Sequence, residues 1–407
     1  MNYGCDSARV FHVSKAGNDA NGGVAQQYPV SLANDSKLTI NSAISAASDG
    51  DTIIIWPGTY TEQLGLLAAA KTLNFIGMNR KKTIITQSSS NDPVPTTYDG
   101  TIFKNLTLQQ TGTGRCVHIS GKDSLDFIDC DFICSGDMVI DASAGYKASF
   151  KNCYLLGEYD TIFAGEELII DRCILVTDGT YSGSGNARVI RCVTGVRAKI
   201  LIKDSILYAQ PSYRKPTGKS PELYESNRTL FCIQGTPDEI FTIIENSILI
   251  ADGYKPYGAH GGSYCSGDAY CVDNINKFIV KNSIFFSRTD QNQSATNAYG
   301  LKNCNAQINN GTFTISGTNS SYDFHADSAK TIYLENTKYN SSQIGANVTV
   351  NSVPAGMAFE KAAKSLINKA IQNKITGAID YYDDDGQTIL FTHMPIDDES
   401  TITRTPS

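Results

Sequence analysis

The sequence has no stretch approaching the roughly 18 apolar residues that a membrane-spanning helix needs, and its start, MNYGCDSARVFHVSKAG, has no basic region followed by an apolar run. Membrane insertion and signal-peptide export are therefore not expected, and sequons such as Asn227-Arg-Thr and Asn347-Val-Thr are expected to stay bare. Charge is also scarce, at 18% of 407 residues with a net charge of −7. Scattered Lys and Arg on an acidic chain argue against a grip on nucleic-acid phosphates. The histidines His12, His118, His260, His325 and His393 form no HxH or HExxH spacing. Paired CxxC zinc motifs are missing too, and eleven cysteines leave at least one thiol unpaired. Reduced cysteine used as a small buried residue is the expectation, with no metal and no cofactor. In YCSGDAYC, Cys265 and Cys271 leave a bridge or a metal site open as alternatives.

What the chain does have is a repeat. FKNLTL, FIDCDF, FKNCYL, IDRCIL, IKDSIL, IENSIL, VKNSIF, INNGTF and LENTKY align on Asn105, Asp129, Asn152, Arg172, Asp204, Asn246, Asn282, Asn310 and Asn336. Two positions before each centre, and three after it, stand apolar or aromatic residues; just after the centre comes a small one, Leu106 excepted. Alternation on both sides of a polar centre marks two strands joined by a bend. Intervals of this order match one turn of a parallel β-helix, in which like residues stack on like at about 4.8 Å. The fold class read from this pattern is all-β, a right-handed single-stranded parallel β-helix over residues 1–352. Cys130, Cys153 and Cys173 become an interior thiol ladder, and the Asn and Asp centres a polar ladder at the bend.

Both ends of such a coil need covers. INSAISAAS puts Ile40, Ala43, Ile44 and Ala47 on one helical face, predicting a capping helix near 38–48, and GDTIIIWPGTYTE reads as the first buried strand and its turn. After NSVPAG, the spacing of Phe359, Ala362, Ala363, Leu366, Ala370 and Ile371 predicts a helix, followed by strands TGAIDYY and QTILFTH around DDDG. Residues 353–407 are thus expected to form a helix and β-hairpin used for assembly or anchoring. The acidic turn does not match the calcium-loop spacing of carboxylates at alternate positions.

VSKAGNDANGG, the amphipathic helix and GDTIIIWPGTYTE together resemble the opening of the pectin-lyase-like β-helix proteins. The tail, with DDDGQTILFTH and STITRTPS, resembles trailers of bacteriophage virion proteins. GEYDTIFAG followed by EELIIDRCILVTDG resembles the pectin methylesterase motif, in which Gln-Asp-Thr-Leu precedes a second Asp in Asp-Phe-Ile-Phe-Gly. Asp160 and Thr161 match its Asp and Thr, Tyr159 replaces its Gln, and Asp178 stands for the second Asp without its context. The Gly-Arg-Pro-Trp element is missing; Arg214 in PSYRKP is the nearest substitute, and Trp56 is the one tryptophan.

Ester hydrolysis by a carboxylate needs the nucleophile, a second acid and oxyanion donors. Glycoside hydrolysis needs two suitably separated carboxylates, for which Glu158, Asp160 and Asp178 are candidates. Against these stands the plain alternative that β-helix corners carry Asp and Asn for structural reasons. The long insertions YAQPSYRKPTGKSPELYESN and DGYKPYGAHGGSYCSGDAY are rich in tyrosine, so Tyr213, Arg214, Tyr254, Tyr257 and Tyr264 are candidates for glycan binding or subunit contact. Missing catalytic elements and the phage-like trailer lead to a non-catalytic expectation: a virion-surface decoration or tail protein, assembled in the host cytoplasm. Its expected partners are copies of itself in a homotrimer, other capsid or tail subunits, and a surface glycan. The alternative is a polysaccharide-acting esterase or depolymerase centred on Asp160.

Overall fold

In a computed structural model the described residues are 8–25, 30–65, 71–95, 99–119, 124–136, 138–142, 147–178, 186–192, 198–210, 229–236, 240–253, 268–289, 296–317 and 319–353, with the backbone of 370–372, 379–382, 389–398 and 401–406. Three parallel sheets of thirteen, ten and eight strands carry most of them. Each complete coil visits the first, second and third sheet in turn; in one, Lys147–Lys151, Tyr154–Gly157 and Asp160–Ala164 are the three strands. This is the right-handed parallel β-helix that the repeat predicts.

The two apolar columns of the repeat become the core. Phe103, Phe127, Phe150, Ile170, Ile202, Ile244, Val280 and Ile308 succeed one another in register on the first sheet, and all are buried. Phe75, Phe103, Phe127 and Phe150 stack ring on ring, at centroid separations of 4.9, 5.3 and 5.1 Å. The second column, Leu108 through Phe313, lines the second sheet's inner side in the same way.

All nine centres have positive φ, from 44° to 55°. The left-handed conformation turns the chain between the sheets, and Asn and Asp tolerate it best among residues with a side chain. Their side chains also bond along the stack: Asn246 Nδ2 to Asp204 Oδ1 at 3.0 Å, Asn282 to Asn246 at 3.1 Å and Asn310 to Asn282 at 2.9 Å. Arg172 interrupts this ladder between Asn152 and Asp204, at φ 54°. One residue on, a second ladder forms, in which each backbone N–H donates to the side chain of the next coil. Cys153 donates to Cys173 Sγ (3.3 Å), Cys173 to Ser205 Oγ (3.0 Å), Ser205 to Ser247 Oγ (3.1 Å) and Ser247 to Ser283 Oγ (3.2 Å). The small residues of the repeat are therefore hydrogen-bond acceptors as well as space savers.

The capping helix runs Ile40–Ala46 with Thr39 as N-cap, and Ile40, Ala43 and Ile44 are buried. The strand Val10–Val13 precedes the helix and pairs with Thr52–Ile55. The first strand thus comes earlier than GDTIIIW.

The chain divides into one compact unit of residues 1–332 with 337–350 and another of 333–336 with 351–407. Within the tail, Ala370–Gln372, Ile379–Tyr382, Ile389–Asp398 and Thr401–Pro406 form an antiparallel four-stranded sheet. The expected pairing of the TGAIDYY and QTILFTH strands is present. The expected helix is corrected at its end, where Ala370 and Ile371 lie in a strand; its other positions, Phe359, Ala362, Ala363 and Leu366, lie outside the described residues.

Candidate functional site

The third sheet holds the candidate site. Asp160 is the first residue of the strand Asp160–Ala164, not a corner residue as the repeat alone suggested. Gly157 ends the preceding strand, and a Cβ there would lie 3.1 Å from Val139 Cγ2 and 3.3 Å from Asp160 O. Only Glu158 and Tyr159 then link the second sheet to the third. In the following coils residues 179–186, 211–229, 253–268 and 289–296 make the same link. Asp160 thus belongs to the coil with the shortest connection, beside a series of long ones.

The Asp160 carboxylate is fully buried and meets two guanidinium groups from the next coil. Arg188 Nη1 lies 3.1 Å from Oδ2 and 3.4 Å from Oδ1, and Arg191 Nη1 lies 3.5 Å from Oδ2. Arg188 is the register partner of Asp160, and Arg191 that of Phe163. Each guanidinium also stands over a ring, Arg188 over Tyr159 at 5.8 Å and Arg191 over Phe163 at 4.7 Å. Arg188 Nε is buried without a hydrogen-bond partner. Thr161 and Thr177 brace the strand by donating to Val176 O at 3.0 Å and Tyr159 O at 2.9 Å. The carboxylate thus faces two cationic groups from one neighbouring strand.

Toward the amino terminus, His118 and Asp141 are register partners. Arg115 Nη1 lies 2.9 Å from Asp141 Oδ2. The His118 imidazole stands between carboxylates, 3.9 Å from Asp141 and 4.0 Å from Asp92, beyond direct hydrogen-bond range. Burial pushes the Asp92 carboxyl above its ordinary value. Toward the carboxyl terminus, the position of Asp160 and Arg188 is taken by Phe231, Tyr270, Tyr299 and Tyr322. These rings stack at 4.7, 4.6 and 5.4 Å, so their faces pack on one another. Lys302 Nζ lies 5.4 and 5.3 Å from the centroids of Tyr270 and Tyr299.

Of the sequence candidates, Glu158 is in the short link and Asp178 ends a strand of the second sheet, in register with Gln210. Asp178 therefore does not share the sheet of Asp160. Tyr213, Arg214, Tyr254, Tyr257 and Tyr264 lie outside the described residues, as does Cys265; Cys271 is a buried free thiol. Asp160, Arg188 and Arg191, separated in the sequence, come together as a compact set. Sequence reasoning missed the two arginines because it followed only the corner repeat. A second repeat, MVIDA, DTIFA, ARVIRC, LFCIQ, AYCVD, AYGLK and YDFHA, carries the third sheet and would have aligned Arg191 with Phe163. Among the described residues no group of three or more His, Cys, Asp or Glu side chains could hold a metal ion, and no helix is long and apolar enough to cross a membrane.

No protein-family model matches the chain. It is similar to pectinesterase 1 of Citrus sinensis, 28% identical over 166 residues that cover 36% of this chain and 28% of that protein. A pectinesterase of Daucus carota is 26% identical over 166 residues, covering 36% and 51%. The chain thus spans between about a quarter and about half of the length of the curated relatives it matches. Among solved structures, a pectin methylesterase from Aspergillus niger superimposes with a TM-score of 0.40 at 17% identity, covering 60% of this chain and 77% of that one. A pectate lyase gives 0.42 at 14%, covering 87% and 80%. The matched sequences are pectinesterases, and the architecture is a right-handed parallel β-helix.

Proposed function

We propose that the protein is a polysaccharide-acting enzyme, a carbohydrate-ester hydrolase with Asp160 as nucleophile. The observation that carries this reading is the pairing of the buried Asp160 carboxylate with Arg188 and Arg191 at the coil with the shortest connection. The partial similarity to pectinesterases supports it. In this chemistry an ionised carboxylate attacks the ester carbonyl, and the oxyanion that develops needs positive donors close by. Arg188 and Arg191 supply such donors beside the carboxylate. Collapse of the tetrahedral species breaks the bond to the alkoxy oxygen, which takes a proton from water and leaves as the alcohol; the hydroxide so formed cleaves the acyl-enzyme anhydride, releasing the sugar acid and restoring the Asp160 carboxylate.

A second reading retains the glycan and drops the turnover: adhesion on a virion surface, with a homotrimer and capsid or tail subunits as partners. The full burial of Asp160 favours it, because a carboxylate satisfied by two guanidiniums is also a structural ion pair. The experiment that separates the readings incubates the protein with highly esterified pectin, alginate and bacterial surface glycans, following methanol and reducing ends alongside binding. Ester hydrolysis abolished by Asp160→Asn supports the enzyme; binding without turnover supports adhesion. Undiminished hydrolysis in Asp160→Asn overturns the assignment of the nucleophile.

A further inference from the structure

Beyond the Asp160 centre, the file of the third sheet that holds Phe163 and Arg191 continues through Gln234, Asp273, Lys302 and His325 on successive coils. Their strand neighbours Ile233, Val272, Leu301 and Phe324 are buried in the core, so alternation puts this file outside. Its last three residues carry polar atoms that the protein leaves unmet. Asp273 is 7% exposed; its Oδ2 accepts from Asn274 Nδ2 at 2.9 Å, but its Oδ1 is buried without a hydrogen-bond partner. His325 Nδ1 is likewise buried and unpartnered, with the imidazole against the Tyr299 and Tyr322 rings at 5.5 and 4.8 Å. Between the two, Lys302 Nζ lies 3.7 Å from Asp327 Oδ2, beyond hydrogen-bond range, and that oxygen already accepts from Asn303 Nδ2 at 2.9 Å. Buried polar atoms are as a rule hydrogen-bonded, so two orphans flanking a loosely paired ammonium in one file mark a place that a ligand completes.

We propose that Asp273, Lys302 and His325 form a binding site for an uncharged sugar unit of a glycan, separate from the Asp160 centre. Charge decides the class of ligand. Burial pushes the Asp273 carboxyl up to about 6, which leaves it mostly ionised at pH 7. An anion would therefore face Asp273 and Asp327 together, and a cation would face Lys302. A sugar hydroxyl both donates and accepts. One hydroxyl donates to Asp273 Oδ1, a second accepts from Lys302 Nζ, and a third meets His325 Nδ1, whose imidazole burial holds below its ordinary value and so neutral at pH 7. Beside the file, the stacked rings of Tyr270, Tyr299 and Tyr322 offer apolar edges to the C–H groups of a sugar. Lys302 Nζ lies 5.4 and 5.3 Å from the first two ring centroids. A few convergent polar groups beside aromatic surface are what small-ligand sites are built from. Lys302 lies four coils past Phe163, roughly 19 Å along the axis, so the unit held here is not the one that meets Asp160. The site serves turnover and adhesion alike and does not depend on which of those readings holds.

Ligand-observed NMR and calorimetric titration of the full chain at pH 7 test the proposal, with maltotetraose, cellotetraose, mannotetraose and galactotetraose as neutral probes and trigalacturonate as the charged control. At least one neutral oligosaccharide is expected to bind. Lys302→Met and Asp273→Asn are each expected to weaken that binding roughly tenfold or more, the loss of one hydrogen bond to a charged group, with unchanged circular dichroism. Lys302→Gln, which keeps a polar head, serves if the methionine variant does not fold. Binding to none of the neutral oligosaccharides overturns the proposal, as does binding that both substitutions leave intact, or a preference for trigalacturonate. Failure here is separate from failure of the Asp160 assignment, which is read from hydrolysis in Asp160→Asn.

Discussion

Arg188 and Asp160 are register partners on neighbouring strands, and their side chains meet at 3.1 Å with Asp160 fully buried and Arg188 nearly so. Charges removed from water hold together only as a set. Arg188→Ala should therefore cost roughly 3–5 kcal/mol in denaturant unfolding, because it takes from a buried carboxylate its more buried guanidinium partner. Adding Asp160→Asn to that variant should recover a large part of the loss. Purely additive losses in the double variant would show that the two side chains are not coupled.

Arg172 carries a positive φ with a side chain that gains little from it; its contact with Asp171 is an exposed pair. Arg172→Asn should raise stability by about 1 kcal/mol and join Asn152 to Asp204 in the corner ladder. A thermal midpoint unchanged or lowered relative to the parent would count against the strain.

Arg80 ties three coils together. Its guanidinium donates to Asp131 Oδ1 at 2.7 Å, to Asn152 O at 2.8 Å and to Cys130 O at 2.8 Å. Arg80→Lys cannot reproduce that fork, so it should lose most of what Arg80→Ala loses, about 2–4 kcal/mol. Equal stability of the lysine variant and the parent would mean that charge alone matters there.

Stability should respond to pH in two opposite ways. Burial pushes the Asp273 and Asp323 carboxyls up to about 6 from 3.8. Their neutral forms favour the folded state, so this contribution is complete below the unfolded value and disappears as pH rises through about 6. Glu167, held low by the bond from Lys199, contributes stability that is lost as pH falls through its folded value. Asp273→Asn should therefore stabilise the protein at pH 7–8 by about 1–3 kcal/mol and have little effect at pH 4, as read by urea titration at each pH. A larger gain at pH 4 than at pH 8 would reverse the sign assigned to Asp273.

The nine described cysteines are buried free thiols. Burial raises the Cys153 thiol and pushes Cys192 and Cys304 up to about 12, so little thiolate exists at neutral pH. Alkylation followed by peptide mass spectrometry should find all nine unmodified in the native protein and modified in denaturant. Rapid native labelling of Cys153 or Cys173 would contradict the interior ladder.

The corner repeat was legible in the sequence because a parallel coil sets the same position of every turn in the same surroundings. Apolar residues recur where the interior is, Asn and Asp recur where φ is positive, and small residues recur where one turn bonds to the next. Arg172 is the one centre whose residue type hides its backbone. The four-stranded tail was half legible: hairpin strands follow from alternation, but Ala370 and Ile371 suit helix and strand alike, and neighbouring strands decided between them.

By itself, then, the sequence determined the coil, its core columns, its capping helix and the candidacy of Asp160. Only the tertiary structure decided which side chains surround that carboxylate and that Asp178 is on another sheet. The reason is physical: the connections between the second and third sheets vary from two residues to nineteen, so sequence distance loses register there, while hydrogen bonding between stacked strands restores it and brings Arg188 onto Asp160.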